Sequence, residues 1–247
     1  MTPLLDGLLR IHVAAGFVGL AAFWVPVVAR KGGRAHVRAG LVYAWCAYVV
    51  AVTAAVVGAG RIATHWTQGV GLAERPDLYA FPLFLGYLGV ATFALVRQAM
   101  RAVATRRAPE TLRTPFHEAV AWASIAGSVV VIAFALGAWS GLSPVLLGLS
   151  PVGLFTGRNM LRLMKNPGAE HMGWFYSHMA SMLGGGIAFH TAFFVFGAQR
   201  LFAYEIAGAL GIVPWILPAI IGIPAITVWT RYYRRKFRPA ARRAAPG

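Results

Sequence analysis

Seven long stretches with almost no charged side chains limit the folds open to this chain more than any other feature. Each approaches or exceeds the roughly 17–25 residues that a helix needs to cross a bilayer. The chain is 58% hydrophobic and 12% charged, with a mean hydropathy of +0.64, which is too apolar for an ordinary soluble domain. We therefore predict an all-α integral membrane protein with seven transmembrane helices. They lie at about 9–29, 39–60, 78–100, 118–139, 142–161, 174–197 and 207–230.

The fifth of these stretches is the least regular. It contains Pro144, Pro151 and Gly157, and Arg158 lies close to its end. Proline removes a backbone donor and disturbs a helix, and a charged side chain is costly in hydrocarbon. A kinked or partly interfacial segment is therefore an alternative to a complete fifth span.

The distribution of Lys and Arg predicts the orientation, because short loops rich in these residues stay on the cytoplasmic side. With the N-terminus outside, only Arg10, Arg61, Arg75 and Arg200 of the 23 Lys and Arg fall on the outer side. We predict one membrane domain over residues 1–230, followed by a basic cytoplasmic tail over residues 231–247. No loop is long enough to form a separate folded domain.

The net charge of +16 raises the question of a nucleic-acid partner. The basic tail begins where the last apolar stretch ends, and it contains neither a long basic helix nor a zinc-finger spacing. A juxtamembrane basic segment is attracted to anionic headgroups by about 1 kcal/mol per cation. We predict the lipid bilayer and its anionic headgroups as partners, and no nucleic acid.

Several kinds of chemistry are disfavoured by what the chain lacks. None of its seven acidic residues lies in the middle of an apolar stretch, which argues against ion-coupled transport and intramembrane metal-dependent hydrolysis. The single cysteine, Cys46, excludes intrachain disulfides, thiolate clusters and covalent haem attachment. Hydrolase and nucleotide-binding motifs are missing as well. Whether the protein is an enzyme stays open.

The seven histidines are the remaining candidates for a functional site. With a rise of about 1.5 Å per residue, His12 and His190 are expected at a similar depth near the outer face. An inner group is expected to contain His36, His117, His171 and His178. His171, Trp174, His178 and Met182 share one helix face, which suits a flat cofactor ring or packing against neighbouring helices.

Two neutral imidazoles from different helices could hold one b-type haem or one metal ion. The candidate cofactor-binding residues are His12, His36, Trp174, His178 and Met182, and the candidate metal ligands are His36, His178 and His190. Only the sixth stretch contains two histidines, which argues against two haems. A buried histidine that donates to a backbone carbonyl is the structural alternative.

The chain has a histidine, His12, early in its first apolar stretch, a turn with Gly33, His36 and Gly40 before its second, and a block with Trp174, His178 and Met182 in a late one. In this pattern it resembles a bacterial family of predicted membrane proteins, the domain of unknown function twenty-three-oh-six. The resemblance covers most of the chain and places it in the bacterial cytoplasmic membrane. It implies no activity, but it favours His12, His36 and His178 over the other histidines, and His190 is not part of the pattern. The matching positions are His12; Gly33, His36 and Gly40; Trp174, His178 and Met182; Thr191, Ala192 and Phe193; and Pro214, Pro218 and Pro224.

Two functions of different classes follow from these patterns. In the first, one haem or metal ion is held by His178 and a partner such as His36, and electrons are exchanged with quinone or a peripheral redox partner. In the second, the histidines and the broken proline helix line a pathway for transport or permeation. A scaffold for another membrane complex is a third possibility.

Overall fold

The computed structural model describes residues 3–202 and 211–238, and within these ranges the chain forms helices and turns without a strand. The all-α prediction is therefore confirmed for the described residues. A 3₁₀ turn, Pro109–Leu112, precedes α4, and a π-helical turn, Phe193–Gly197, continues α7. The helices are α1 (Pro3–Val28), α2 (Arg34–Thr67), α3 (Pro76–Ala104), α4 (Pro115–Gly137), α5 (Ser143–Leu149), α6 (Pro151–Lys165), α7 (Gly173–Ala192), α8 (Ala198–Phe202) and α9 (Val213–Lys236).

Within the described part of the chain, six helical segments are long and apolar enough to cross a membrane. They are α1, α2, α3, α4, α7 with its π-helical extension, and α9. Each overlaps one of the predicted stretches. The last begins at Val213, and the start of its predicted stretch, residues 207–210, lies outside the described residues. The first residues of the predicted basic tail belong to the last helix, because α9 continues to Lys236. Residues 239–247 of the tail lie outside the described residues.

The predicted fifth span consists of two shorter helices, α5 and α6, which meet at Ser150 and Pro151. Pro151 has no N–H to donate to the carbonyl of Leu147, and the Ser150 hydroxyl donates to that carbonyl instead, over 3.0 Å. Neither helix reaches the length of a span by itself. A seventh span is therefore not confirmed, and the helix is interrupted between Leu149 and Pro151.

Helix α3 lies at the centre of the bundle and contacts α2, α4, α6 and α7. More than half of its most apolar window is buried inside the protein, whereas α1 and α9 bury only 11% of theirs. Helix α1 packs mainly on α2, and α9 packs mainly on α7. The outer helices thus expose apolar side chains, as expected where lipid rather than water surrounds the protein.

Helices α5 and α6 run back along α4. Leu146 of α5 packs with Val131 and Ala135, whereas Met164 of α6 packs with Val120 near the start of α4. We call the end where α1, α3, α6 and α9 finish and α2, α4 and α7 begin the basic end, because most of the Lys and Arg lie there.

Candidate functional site

A histidine pair joins the first turn of α2 to the second turn of α7 at the basic end. The imidazole rings of His36 and His178 have centroids 6.4 Å apart and an interplanar angle of 62°. Both side chains are partly buried. The structure thus brings together two members of the predicted inner group, and both are predicted metal ligands.

Backbone carbonyls orient both rings. Nδ1 of His178 lies 3.1 Å from the carbonyl oxygen of Ala99 in α3, and Nδ1 of His36 lies 3.2 Å from that of Pro26 in α1. A carbonyl only accepts, so each Nδ1 carries a proton, and in the neutral ring Nε2 then carries the lone pair. A histidine that binds a metal through Nε2 has this tautomer, with Nδ1–H fixed by an acceptor.

The carbonyl of Pro26 is also contacted by a cation. Nζ of Lys31 donates to the carbonyls of Pro26 and Val27, over 2.8 and 2.7 Å, and so caps the C-terminus of α1. The ammonium also lies 5.9 Å from the ring centroid of Trp229 in α9. Burial lowers the pKa of Lys31 below its usual value. The loop after α1 thus fixes the carbonyl on which His36 depends.

The separation of the two rings suits one metal ion between them. A metal bonds to imidazole nitrogen at about 2.0–2.1 Å, so two opposed rings on one ion have centroids about 6.4 Å apart. The observed distance is 6.4 Å. No group of three or more His, Cys, Asp or Glu that could hold a metal exists among the described residues. The described residues therefore place two imidazole rings together here, and no third ligand from a His, Cys, Asp or Glu side chain accompanies them.

The predicted outer pair of His12 and His190 does not form. The ring of His190 packs against Phe23 and Trp24, with centroids 5.3 and 5.4 Å away. These residues follow His12 by eleven and twelve positions, which is about 17–18 Å along α1. His190 therefore contacts the last part of α1, towards the basic end, and does not lie at the level of His12.

Both members of that pair have their own hydrogen bonds. Nδ1 of His190 donates to the carbonyl of Gly186, four residues earlier, over 2.7 Å. Nδ1 of His12 lies 2.9 Å from Oγ1 of Thr53, whose hydroxyl donates to the carbonyls of Val49 and Val50. His12 therefore donates to Thr53 and links α1 to α2. The structural alternative was a donor to a backbone carbonyl of another helix; His190 instead donates to a carbonyl of its own helix, and His12 donates to a hydroxyl of α2.

A buried polar chain that the sequence did not predict connects three helices beside the pair. Nε2 of His117 in α4 lies 2.9 Å from Oε1 of Gln98 in α3, and Nε2 of Gln98 donates to Oγ of Ser177 in α7 over 2.9 Å. His117 is 0% exposed and Gln98 is 1% exposed. Nδ1 of His117 has no partner among the described residues. The available signal was an amide, Gln98, within an apolar stretch.

The other predicted residues of α7 are divided between two places. His171 and Trp174 line a cleft of ≈570 Å³ at the basic end, together with Gln98 and Ser177. Met182 packs in the cluster around Phe23 and Tyr43, and its carbonyl lies 3.4 Å from the Tyr43 hydroxyl. The predicted stripe is thus not one cofactor surface: one end borders an open cleft and the other is packed core.

The prolines of the alternative pathway lie in α9, at the edge of the bundle. Pro218 and Pro224 are inside the helix, and Pro214 is in its first turn. Pro214 and Pro218 are buried, but the helix as a whole exposes most of its surface. The freed carbonyls therefore do not line the centre of the bundle, which α3 fills.

Comparison with known proteins adds no relative. No family model, no curated protein and no solved structure matches this chain. The resemblance to the domain of unknown function twenty-three-oh-six consequently stays a prediction, based on the matching positions such as His12, His36 and His178. What can be said of function rests on the geometry of the histidine pair and on the bundle that holds it.

Proposed function

We propose that this protein is a multi-pass membrane protein that binds one transition metal between His36 and His178, with the iron of a b-type haem as the first candidate. The observation that carries the proposal is the pair itself: two imidazole rings on different helices, each within hydrogen-bond distance of a backbone carbonyl, with ring centroids 6.4 Å apart. His36 and His178 would hold the iron of a haem through their Nε2 atoms.

The proposed role is electron exchange with quinone or with a peripheral redox partner. A haem supplies one-electron chemistry when bound. The protein would hold the two Nε2 atoms in place through the hydrogen bonds of the Nδ1–H groups, and it would shield the site between α2 and α7.

The proposal includes seven crossings of the bacterial cytoplasmic membrane, with the N-terminus outside and the C-terminus inside. Its support is the charge distribution together with the course of α5 and α6, which cover α4 from Ala135 to Val120. A chain that returns along the whole of a spanning helix crosses the same hydrocarbon layer. In place of one straight fifth span, this segment consists of two helices that meet at Ser150 and Pro151.

The test is reconstitution of the purified protein in detergent with haemin, and separately with Cu⁺ and Zn²⁺. We expect one equivalent of one of these groups to bind, and His178→Ala and His36→Ala to weaken binding by at least about tenfold, in the range found when metal-site residues are changed. For haem, the Soret band would also shift. His171→Ala is the matched control, because His171 begins the same segment but is exposed.

The proposal is wrong if folded wild-type protein binds none of the three groups, or if His171→Ala weakens binding as much as His178→Ala. Size-exclusion profiles identify variants that have lost their fold.

A further inference from the structure

The cleft at the basic end is a separate feature from the histidine pair, since neither His36 nor His178 lines it. It opens between the ends of α3, α6 and α9, the segment 166–173 and the beginning of α7. Its volume of ≈570 Å³ is in the usual range for small-molecule sites. The cleft is therefore large enough for a ligand, and it has a defined lining.

The walls of the cleft are cationic. Arg106, Arg162 and Arg234 come from three different segments and line the same space. Among the residues that the structure describes, Glu170 supplies the only carboxylate in the lining, and it is paired with Arg234, with Nε and Oε1 2.8 Å apart. Arg106 and Arg162 therefore leave an uncompensated positive charge facing the cleft.

The two uncompensated arginines differ in how they are held. Nη1 of Arg106 donates to the carbonyl of Val103 over 3.2 Å, which uses one of its five N–H groups. The guanidinium group of Arg162 makes no hydrogen bond or ion pair within residues 3–202 and 211–238, although the backbone carbonyl of this residue accepts from the N–H of Asn166. Both guanidinium groups thus have donors to spare, and guanidinium is well matched to a phosphate in a bidentate contact.

Neutral donors and acceptors complete the lining. The side chains of Asn159 and Asn166 border the cleft beside the arginines, and its buried end is formed by Gln98 and Ser177. Gln98 and Ser177 are hydrogen-bonded to each other, which fixes the orientation of the Gln98 amide. A ligand that carries hydroxyl or further phosphate oxygens could also form hydrogen bonds with these side chains.

From this geometry we infer that the cleft is a binding site for a phosphate group, contacted by Arg106 and Arg162. The phosphate belongs either to the headgroup of an anionic phospholipid or to a free phosphate compound. The position at the ends of four helices allows both sources, because this end of the bundle is where the apolar segments finish. The inference is independent of the proposed metal site.

The experiment measures how tightly two sources of phosphate bind to the wild-type protein and to two double variants. Full-length protein is titrated with inorganic phosphate in detergent, and is also placed in nanodiscs of phosphatidylglycerol with phosphatidylcholine, where native mass spectrometry counts the retained anionic lipid. The test variant is Arg106→Gln/Arg162→Gln. The control is Arg107→Gln/Arg158→Gln, which removes the same charge from exposed neighbours on the same segments outside the cleft.

We expect wild-type protein to bind at least one of the two probes, and the test variant to lose at least about tenfold in affinity, since each charged contact is worth a tenfold factor or more. The control should change by less than about twofold. Retention of phosphatidylglycerol alone identifies a headgroup site, and binding of phosphate alone identifies a soluble ligand. The inference is overturned if neither probe binds wild-type protein, or if the two double variants lose affinity equally, because diffuse attraction would then explain the effect.

Discussion

At the scale of single residues, this protein uses its buried polar groups as links between helices. His12, His117, His178 and His190 each donate to an oxygen atom, and His12, His117 and His178 thereby join two helices. A polar group in an apolar surrounding is costly unless it is paired. The histidines that looked alike in the sequence therefore differ by the acceptor each one finds.

The chain of His117, Gln98 and Ser177 gives the first prediction. Gln98→Leu keeps the volume of the side chain but leaves the Nε2–H of His117 and the hydroxyl of Ser177 without their partners. We expect unfolding in detergent to require about 1–3 kcal/mol less free energy, the cost of a buried group left unpaired. Thermal unfolding followed by circular dichroism measures the change.

The matched control is Gln68→Ala, since Gln68 is exposed after the end of α2. It should leave the unfolding temperature unchanged. Equal unfolding temperatures for Gln98→Leu and wild type would contradict a structural role for the chain.

At the scale of elements, two helices approach each other through glycine. A Cβ atom added at Gly89 of α3 would lie 2.5 Å from the carbonyl oxygen of Ala51 in α2, and one added at Gly58 of α2 would lie 2.5 Å from that of Pro82. These positions require the absence of a side chain, because the opposing atoms are backbone. Small residues allow such close packing of helices in a bilayer.

The second prediction is that Gly89→Ala separates α2 from α3 and destabilises the protein by about 1–3 kcal/mol, the usual cost of overpacking. Gly86→Ala is the control on the same helix, because nothing lies within 4 Å of its added Cβ. Unfolding temperatures of the two variants in one detergent give the comparison. A loss of stability in Gly86→Ala as large as in Gly89→Ala would show that helix packing is not the cause.

The hydroxyl of Tyr87 in α3 forms hydrogen bonds with the backbone at the break between α5 and α6. The Tyr87 hydroxyl lies 3.0 and 2.9 Å from the carbonyls of Leu149 and Ser150, and it accepts from the N–H of Gly153 over 2.9 Å. A kink at Pro151 exposes backbone groups that hydrocarbon cannot satisfy. Helix α3 therefore supplies the missing hydrogen-bonding partner.

The third prediction concerns this hydroxyl. Tyr87→Phe should destabilise the protein by about 1–3 kcal/mol, because the N–H of Gly153 loses its acceptor while the ring stays packed. Protease sensitivity around residues 143–165 and thermal unfolding in detergent both report the effect. Tyr232→Phe, which removes an exposed hydroxyl, serves as the control. Indistinguishable behaviour of the two variants would mean that the kink holds without Tyr87.

At the scale of the whole molecule, the fourth prediction is that the two termini lie on opposite sides of the membrane. Seven crossings require it, since α5 and α6 return along α4 before α7 begins. Fusion of a reporter that is active only outside, and of one that is active only inside, to each terminus in turn is the measurement. We expect the first to be active at the N-terminus and the second at the C-terminus.

Activity of the same reporter at both ends would show an even number of crossings, with α5 and α6 entering and leaving from one side. The metal-binding and phosphate-binding tests would be unaffected, because they depend on the packing of side chains and not on the sidedness of the bundle.

The sequence by itself determined that this protein consists of apolar helices, where these helices approximately begin and end, and that most arginines lie at one end of them. Hydrocarbon forces the backbone to satisfy its own hydrogen bonds, so a long uncharged stretch becomes a helix whatever its neighbours are. Rotation of each helix about its axis was not determined, because faces towards lipid and faces towards protein are equally apolar. Trp45 and Ile220, at 68% and 60% exposed, illustrate this.

Only the tertiary structure decided which histidines meet. The acceptors of His36 and His178 are backbone carbonyls of Pro26 and Ala99, which any residue could supply, so the sequence carries no mark of them. The cleft likewise exists because four helix ends and one loop converge, and its arginines are separated by up to 128 positions, from Arg106 to Arg234. Such convergence depends on packing between distant segments, and local patterns of hydropathy and charge do not encode it.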